Sequence, residues 1–370
     1  MDELKINEES TRAGRPRRLG SNAVTHEIRM LRAQAASMED ELQALQSKWR
    51  DQLQDGRILA TAQESAREKH ATSQAEKVRE DLLQSLQQQQ LLFATLQTAV
   101  DHSPFDSSGK EMFEALHFGT RLGSDPAERE KLLLEHHKRS ITTLPSIVDI
   151  FLQKAIHRHQ ESEESDNLLK TPLSRLDVTG CEDSTLVSSV FISEIPCASL
   201  EQVYSAVLAY FDDVPSYMKR HFNVHAERTR LNSANSPVLY RRSTFEGSKM
   251  SATVNNIMCS ELTASYGMVH VDAVTDDPLH PVIESASSQY SVCGLTITPL
   301  KEPLTGQTLS VMLRWLVVYR YNMLPYDPRI KENLQVIRPI LNGDLITASV
   351  CSYIQERQMC FEDGVDICQK

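Results

Sequence analysis

No apolar run of the roughly 18 residues needed to cross a bilayer occurs in the 370-residue chain, which predicts that no transmembrane helix is present. The start, Met1-Asp-Glu-Leu-Lys5, lacks the basic and then apolar layout of a secretory signal, so none is expected. The seven cysteines are Cys181, Cys197, Cys259, Cys293, Cys351, Cys360 and Cys368, an odd count with no pair at metal-ligand spacing. Reduced thiols in a nuclear or cytoplasmic protein are the simplest expectation. There is no Gly-rich phosphate loop and no nucleophile elbow. His221-Phe-Asn-Val-His225 has the spacing of a metal pair but lacks the acidic residue of the zinc-protease motif, and it reads as surface histidines at a helix-to-strand junction in preference to a metal site. No catalytic residue, metal site or cofactor is therefore predicted, and the chain is read as a non-enzyme. Basic charge is also in deficit, 39 Lys and Arg against 50 Asp and Glu for a net −11, so the molecule as a whole is not built to bind a polyanion.

One dense basic patch stands against that background: Arg12-Ala-Gly-Arg-Pro-Arg-Arg18. Its residues Arg12, Gly14, Arg15, Pro16, Arg17 and Arg18 resemble an AT-hook. The narrow, negative minor groove of A·T-rich DNA concentrates field on an inserted arginine. Pro16 fixes its own φ and biases Arg15 toward an extended backbone, while Gly14 has no side chain to meet the groove wall. A disordered basic tail or a nuclear-import signal needs only the charge, and the acids Asp2, Glu3, Glu8 and Glu9 weaken the patch.

Proline is absent between Pro16 and Pro104, and His26 to Val100 is rich in helix formers. Leu31, Met38, Leu45, Gln52 and Leu59 recur every seventh residue, with Leu42 and Trp49 at the complementary position. That is a coiled-coil seam, and Leu31, Met38, Leu42, Leu45 and Trp49 are its predicted dimer contacts. A second seam in a shifted frame takes Leu82, Leu86, Phe93, Leu96 and Val100, so two segments are expected instead of one rod. A basic leucine zipper fits poorly, because Pro16 and Gly20 interrupt the basic run that would have to be a continuous helix.

Beyond residue 104 the texture changes. Glu111 to Arg121 suggests a short helix ending near Gly123, and Asp125-Pro-Ala-Glu128 a helix start. Pro145 is expected to divide two further helical stretches, the second carrying Ile147, Val148, Phe151, Leu152 and Ile156. A polar linker begins at Glu161. Thr185 to Ile195 reads as a strand, and Ser199-Leu-Glu-Gln202 as a capping box opening a helix, followed by a second short helix from Tyr217 to Phe222. Six strands follow at about 224–231, 238–245, 250–262, 267–275, 283–299 and 308–323, then a helix with Leu341, Leu345, Val350, Tyr353 and Ile354, started or kinked near Pro339. The last strand alternates most clearly: Leu313, Trp315, Val317 and Tyr319 share one face, with Arg314 on the other.

The fold class is therefore α+β: a disordered basic segment (1–24), a coiled coil (25–103), a helical bridge (104–160), a linker (161–183), a helix-grip domain (184–357) with its antiparallel sheet around the C-terminal helix, and a flexible tail (358–370). Ser108-Gly-Lys-Glu-Met-Phe-Glu-Ala-Leu-His-Phe118, Leu122-Gly-Ser-Asp-Pro-Ala-Glu-Arg-Glu130, Pro145-Ser-Ile-Val-Asp149 and the strand order from Val187 to Met323 resemble the START-like proteins of oomycetes, some labelled mating-specific, in which a coiled coil precedes a START-like domain. The resemblance implies a cavity for a lipid, a sterol-like molecule or another apolar ligand between sheet and helix. Its expected lining is Val254, Met258, Leu313, Trp315, Val317 and Tyr319, closed by Leu345 and Val350. Side chains of that size could equally fill the space, since a pocket needs roughly 300 Å³ or more left open. The expected partners are a second copy through the coiled coil, A·T-rich DNA and an apolar ligand, as in a transcription or chromatin regulator. The rival is a cytoplasmic lipid-binding or scaffold protein with no nucleic-acid role.

Overall fold

The computed structural model describes residues 32, 34–45, 47–48, 56–99, 108–162, 172–196, 198–248, 251–282, 289–302 and 307–362. The chain divides into two units, Met1–Gln84 and Ser85–Lys370. The arginine motif from Arg12 to Arg18 lies outside the described residues, as do Leu31 and Trp49 of the predicted seam. Residues 34–45 are helical, and Met38, Leu42 and Leu45 are 63%, 52% and 50% exposed within the single chain. A long helix, α1 (Gly56–Ala99), follows. In the first unit it exposes Ile58, Val78 and Leu82. In the second unit it buries Gln87, Leu91 and Ala94, while Leu86 and Phe93 of the second predicted seam point out. The face that packs on the domain is thus not the face whose heptad spacing stands out in the sequence.

Within the second unit come α2 (Ser108–Leu116), α3 (Pro126–Ser162), β1 (Leu173–Gly180), β2 (Thr185–Pro196), α4 (Leu200–Asp212) and α5 (Val214–Phe222). Six more strands follow: β3 (His225–Arg230), β4 (Leu239–Glu246), β5 (Ser251–Leu262), β6 (Gly267–Val274), β7 (Gln289–Lys301) and β8 (Thr308–Tyr321). Two helices, α6 (Pro328–Leu341) and α7 (Asp344–Glu362), complete the described chain. The strands form one antiparallel sheet of eight in the order β1-β2-β8-β7-β6-β5-β4-β3. Its ends are the β1 and β3 edges, and the long central pairing of β8 with β2 and β7 carries Leu313, Trp315, Val317 and Tyr319 to one face.

That face is the inner one. Against it pack Val203, Val207, Tyr210 and Phe211 of α4, Met218 of α5, Ile330, Leu334 and Ile337 of α6, and Ile346, Val350 and Ile354 of α7. Ser199 opens α4 as predicted: its hydroxyl accepts from the Gln202 N–H, and the Gln202 side chain accepts from the Ser199 N–H. The outer face is not left to solvent. Met112, Phe113 and Leu116 of α2 and Leu144, Val148, Phe151 and Leu152 of α3 cover Val190, Met268, Val292, Leu316 and Val318. The result is three layers around one sheet.

Several expectations are corrected here. The segment 104–160 does not bridge two bodies; α2 and α3 are the outer layer of the domain. The short helix ends at Leu116, five residues before Arg121, whose backbone instead forms an isolated parallel β-bridge with Asp276. Pro145 sits inside the 37-residue α3 and does not divide it. Proline removes one backbone bond and crowds the preceding turn, but Ser140 and Leu144 before it and Val148 and Phe151 after it are buried by the same layer, which holds the halves in line. Leu173–Gly180 is a strand where a linker was expected. Edge pairing with β2, from Leu173↔Ile192 to Gly180↔Thr185, orders a sequence that has no apolar alternation of its own. The C-terminal helix is two helices, α6 and α7, broken at Asn342-Gly343, and α7 continues to Glu362 into the expected tail. Gly343 has φ +76° and its missing Cβ would meet the Phe191 ring at 2.5 Å, so conformation and close approach both require glycine there. Gly294 is needed for another reason: a Cβ would meet Leu144 at 2.5 Å, so the bare backbone of β7 is what lets α3 lie down on the sheet.

Candidate functional site

Between the inner face and the helices lies a partly enclosed cavity of about 110 Å³. Tyr210 and Phe211 from α4, Val214, Tyr217 and Met218 from α5, Ile340 from α6 and Leu345 from α7 form one side. The sheet supplies Ala252, Val254, Val271, Cys293, Trp315, Val317 and Tyr319. Tyr210 and Phe211 stand edge-on to Trp315, with ring centroids 6.4 and 6.5 Å apart. Of the expected lining, Val254, Trp315, Val317, Tyr319 and Leu345 are in place. Met258, Leu313 and Val350 are not: they are buried in the packed core beside the cavity. Met258 is spent on Arg241, whose Nη2 lies 3.7 Å from its Sδ. Leu313 sits opposite Ile297 where the core is filled, and Val350 packs within the inner helix layer. The free volume is below the roughly 300 Å³ expected of a pocket for a lipid; it is closer in size to an apolar cavity of about 150 Å³ that takes benzene.

The polar end of this cavity was missed in the sequence. Arg228 of β3, Arg241 and Ser243 of β4, Asn256 of β5 and Gln289 of β7 also line it. Arg228 pairs in register with Ser243, and Arg241 with Asn256, which puts all four on the inner face of neighbouring strands. The Arg241 Nε donates to Asn256 Oδ1 at 3.1 Å, and Asn256 Nδ2 to Ser243 Oγ at 3.4 Å. Arg228 donates to the Phe211 carbonyl, while its buried Nε has no partner. The carboxylate paired with Arg241 is Asp212, 3.9 Å from Nη1 and 72% exposed. Burial, reinforced by Arg241, pushes the Arg228 guanidinium down to about 9, still charged at neutral pH. Burial likewise lowers Arg241. Gln289 is 3% exposed, and neither its amide nitrogen nor its oxygen has a partner among the described residues. The available signal was parity: in Leu239-Tyr-Arg-Arg-Ser-Thr-Phe245, Arg241 and Ser243 alternate with the outward Arg242, so one arginine had to face inward.

The outer face carries a second polar cluster, and there most of the groups are engaged, the buried Nε2 of His136 being an exception among the described residues. Asp272 on β6 accepts from His117 Nδ1 at 2.7 Å and from the N–H groups of Phe118 and Ala273, both at 2.8 Å. Burial would raise its pKa; the bond from His117 and the neighbouring histidines outweigh that and hold it below the ordinary value. The carbonyl of Leu116 can only accept, so the His270 Nε2, 3.0 Å away, carries the proton, and its Nδ1 contacts the Ser140 hydroxyl at 2.8 Å, which also reaches the His136 carbonyl at 2.9 Å. His136 stacks on His270 at 5.6 Å and contacts Thr120 at 2.7 Å; burial pushes its pKa down to about 4. Arg129 on α3 grips Asp277 with two bonds of 2.7 and 2.8 Å, Tyr240 donates to the same carboxylate, and the bonds from Arg129 and Tyr240 outweigh the effect of burial to hold Asp277 at about 2. Arg314, the mid-strand arginine, reaches Asp149 of α3 at 3.6 Å. None of these groups borders the cavity. His221 and His225 do not converge either: His221 stacks on Tyr217 and His225 contacts Glu227 at 3.1 Å. No group of three or more His, Cys, Asp or Glu stands in metal-binding geometry among the described residues.

No family model and no curated protein matches the chain. Human STARD10 is similar in structure at 17% identity and a TM-score of 0.35, over 57% of this chain and 84% of that one. A conserved protein from Geobacillus kaustophilus aligns at 9% identity and a TM-score of 0.27, covering 46% and 93%. Norcoclaurine synthase from Thalictrum flavum, in complex with dopamine and hydroxybenzaldehyde, aligns at 10% and 0.27, covering 53% and 97%. These likenesses are too slight to carry a ligand or an activity across. Among the described residues no helix is long and apolar enough to cross a membrane.

Proposed function

We propose that the chain is a non-enzymatic binding protein of START-like type, whose domain holds a small and mainly apolar molecule between the sheet and α4 to α7. The observation that carries this reading is the cavity itself: free space bordered by Tyr210, Phe211, Met218, Val271, Trp315 and Val317 between the inner face of the sheet and its helices. Interiors ordinarily close such space to crystal-like density. The present volume suits a single ring or a short chain. A lipid or sterol requires the helices on the inner face to withdraw. The test is to titrate toluene into full-length protein carrying Trp49→Phe, so that Trp315 is the sole reporter. Its fluorescence shifts and the thermal midpoint rises with concentration if the molecule enters, because only the folded state binds. An unchanged spectrum and midpoint contradict a ligand site and leave the domain as an interaction module.

The amino-terminal half supplies the remainder of the proposal. The exposure of Met38, Leu42 and Leu45 at heptad spacing supports self-association through this helix. Asp substitutions at Leu42 and Leu45 then lower the sedimentation mass from dimer to monomer. Arg15 and Arg17 contact A·T-rich DNA, as a nuclear regulator would require; replacing both with Ala removes A·T preference, and equal binding of G·C duplexes by the unaltered protein reduces the segment to a generic basic tail, consistent with the cytoplasmic reading.

A further inference from the structure

We propose that the ligand of this cavity is a small monocarboxylate, a single ring or short chain whose apolar body rests against Trp315 and Phe211 and whose anion is held by Arg228 and Arg241. This rests on the cavity being a ligand site, and adds the chemistry of what enters it.

Two guanidinium groups share the inner face on adjacent strands, yet among the described residues Asp212 is the carboxylate set against them. Arg228 has a neutral carbonyl as its partner and a buried Nε with none. Arg241, 5% exposed, faces Asp212 across 3.9 Å, and that carboxylate is 72% in solvent, where its attraction is screened. Buried charge without close compensation is costly unless something pairs with it. On the outer face the same chain pairs Arg129 with Asp277 through two short bonds, so the fold does not lack the means to neutralise an arginine. Gln289 adds an independent pointer: an amide more than nine-tenths buried, bordering the same space, with a donor and an acceptor both unused. A carboxylate accepts from guanidinium N–H groups and from the Gln289 amide N–H alike. A dianionic head fits less well, because the cavity of about 110 Å³ leaves little room for its larger, more strongly hydrated group beside a ring.

The test is calorimetric titration of the full chain, near neutral pH, with benzoate, benzyl alcohol and phenyl phosphate. Charge-assisted bonds predict that benzoate binds at least about tenfold more tightly than benzyl alcohol, and more tightly than phenyl phosphate. Arg241→Met and Arg228→Gln each erase most of the preference for benzoate over benzyl alcohol. If Arg241→Met fails to fold, the three ligands on the unaltered protein and Arg228→Gln decide the matter alone. Benzyl alcohol binding as tightly as benzoate, or a preference that survives both substitutions, overturns the carboxylate and leaves the apolar cavity standing. Phenyl phosphate binding most tightly overturns it in favour of a dianion. Binding of none of the three overturns the carboxylate, and only when toluene also fails does the ligand cavity fall with it.

Discussion

Asp272 and Gln289 are both polar, both nearly inaccessible and both on central strands, yet they live on opposite faces of the same sheet. Asp272, 0% exposed, accepts from His117, Phe118 and Ala273. Gln289, 3% exposed, has no partner for either amide atom. The pattern extends to their neighbours. On the α3 side, His270 bonds at both ring nitrogens, and Asp277 gathers Arg129, Tyr240 and the Leu279 N–H. On the α4–α7 side, Arg228 keeps a bare Nε and Arg241 a solvent-facing counterion. The outer face spends most of its polar groups on holding layers together, the Nε2 of His136 excepted. The inner face keeps Arg228, Arg241 and Gln289 beside the cavity, and a group kept without a protein partner is a group available to a ligand.

The largest effect is expected from Asp272→Asn. It removes the charge that His117 and two backbone N–H groups converge on, and should lower the unfolding free energy by roughly 3 kcal/mol or more in urea titration. A loss below about 1 kcal/mol would mean that the outer layer is held by apolar packing alone. Next comes pH. The folded-state pKa of His136, about 4, lies below its ordinary 6.5 because burial disfavours the charged ring. The unfolded chain therefore binds the extra proton first: stability is full above the ordinary value and decays as pH falls from 6.5 towards 4, by roughly 3 kcal/mol from this residue. Chemical denaturation at about pH 7 and about pH 4.5 should show that slope, and His136→Asn should flatten it. Gly294→Ala should cost about 1 to 3 kcal/mol by pushing Leu144 and α3 off β7, with little change in the inner cavity.

How much of this was legible depended on what each element relies on. Strands β3 to β8 fall within a few residues of the ranges expected from their turns, apart from the start of β7, and the Ser199–Gln202 box opens α4, because alternation and capping are local chemistry. The β8 face bearing Trp315, Val317 and Tyr319 was legible for the same reason. Strand β1 was not: Ser174, Arg175 and Asp177 look like linker, and only edge pairing with β2 makes them extended. Pro145 does not break its helix because tertiary burial on both sides overrides its local effect. The outer helix layer was hidden because strand β8 mixes Leu316 and Val318 with Arg314 and Arg320, a face that reads as half-solvated until Asp149 and Phe113 are seen to meet the arginines. The cavity was half legible, its aromatic wall from β8 and its cationic end not at all, since Arg228 lies in the charged run His225-Ala-Glu-Arg-Thr-Arg230.

The smallest expected effect is the most direct test of the difference between the faces. Gln289→Leu replaces an unpartnered buried amide with an apolar group of similar volume, and should leave the unfolding free energy within about 0.5 kcal/mol or raise it. Measured by urea unfolding beside Asp272→Asn, a neutral or stabilised Gln289→Leu against a strongly destabilised Asp272→Asn is the predicted result. A Gln289→Leu variant that loses as much stability as Asp272→Asn would show that the inner-face amide is part of the scaffold, and would contradict the claim that this face holds its polar groups for a ligand.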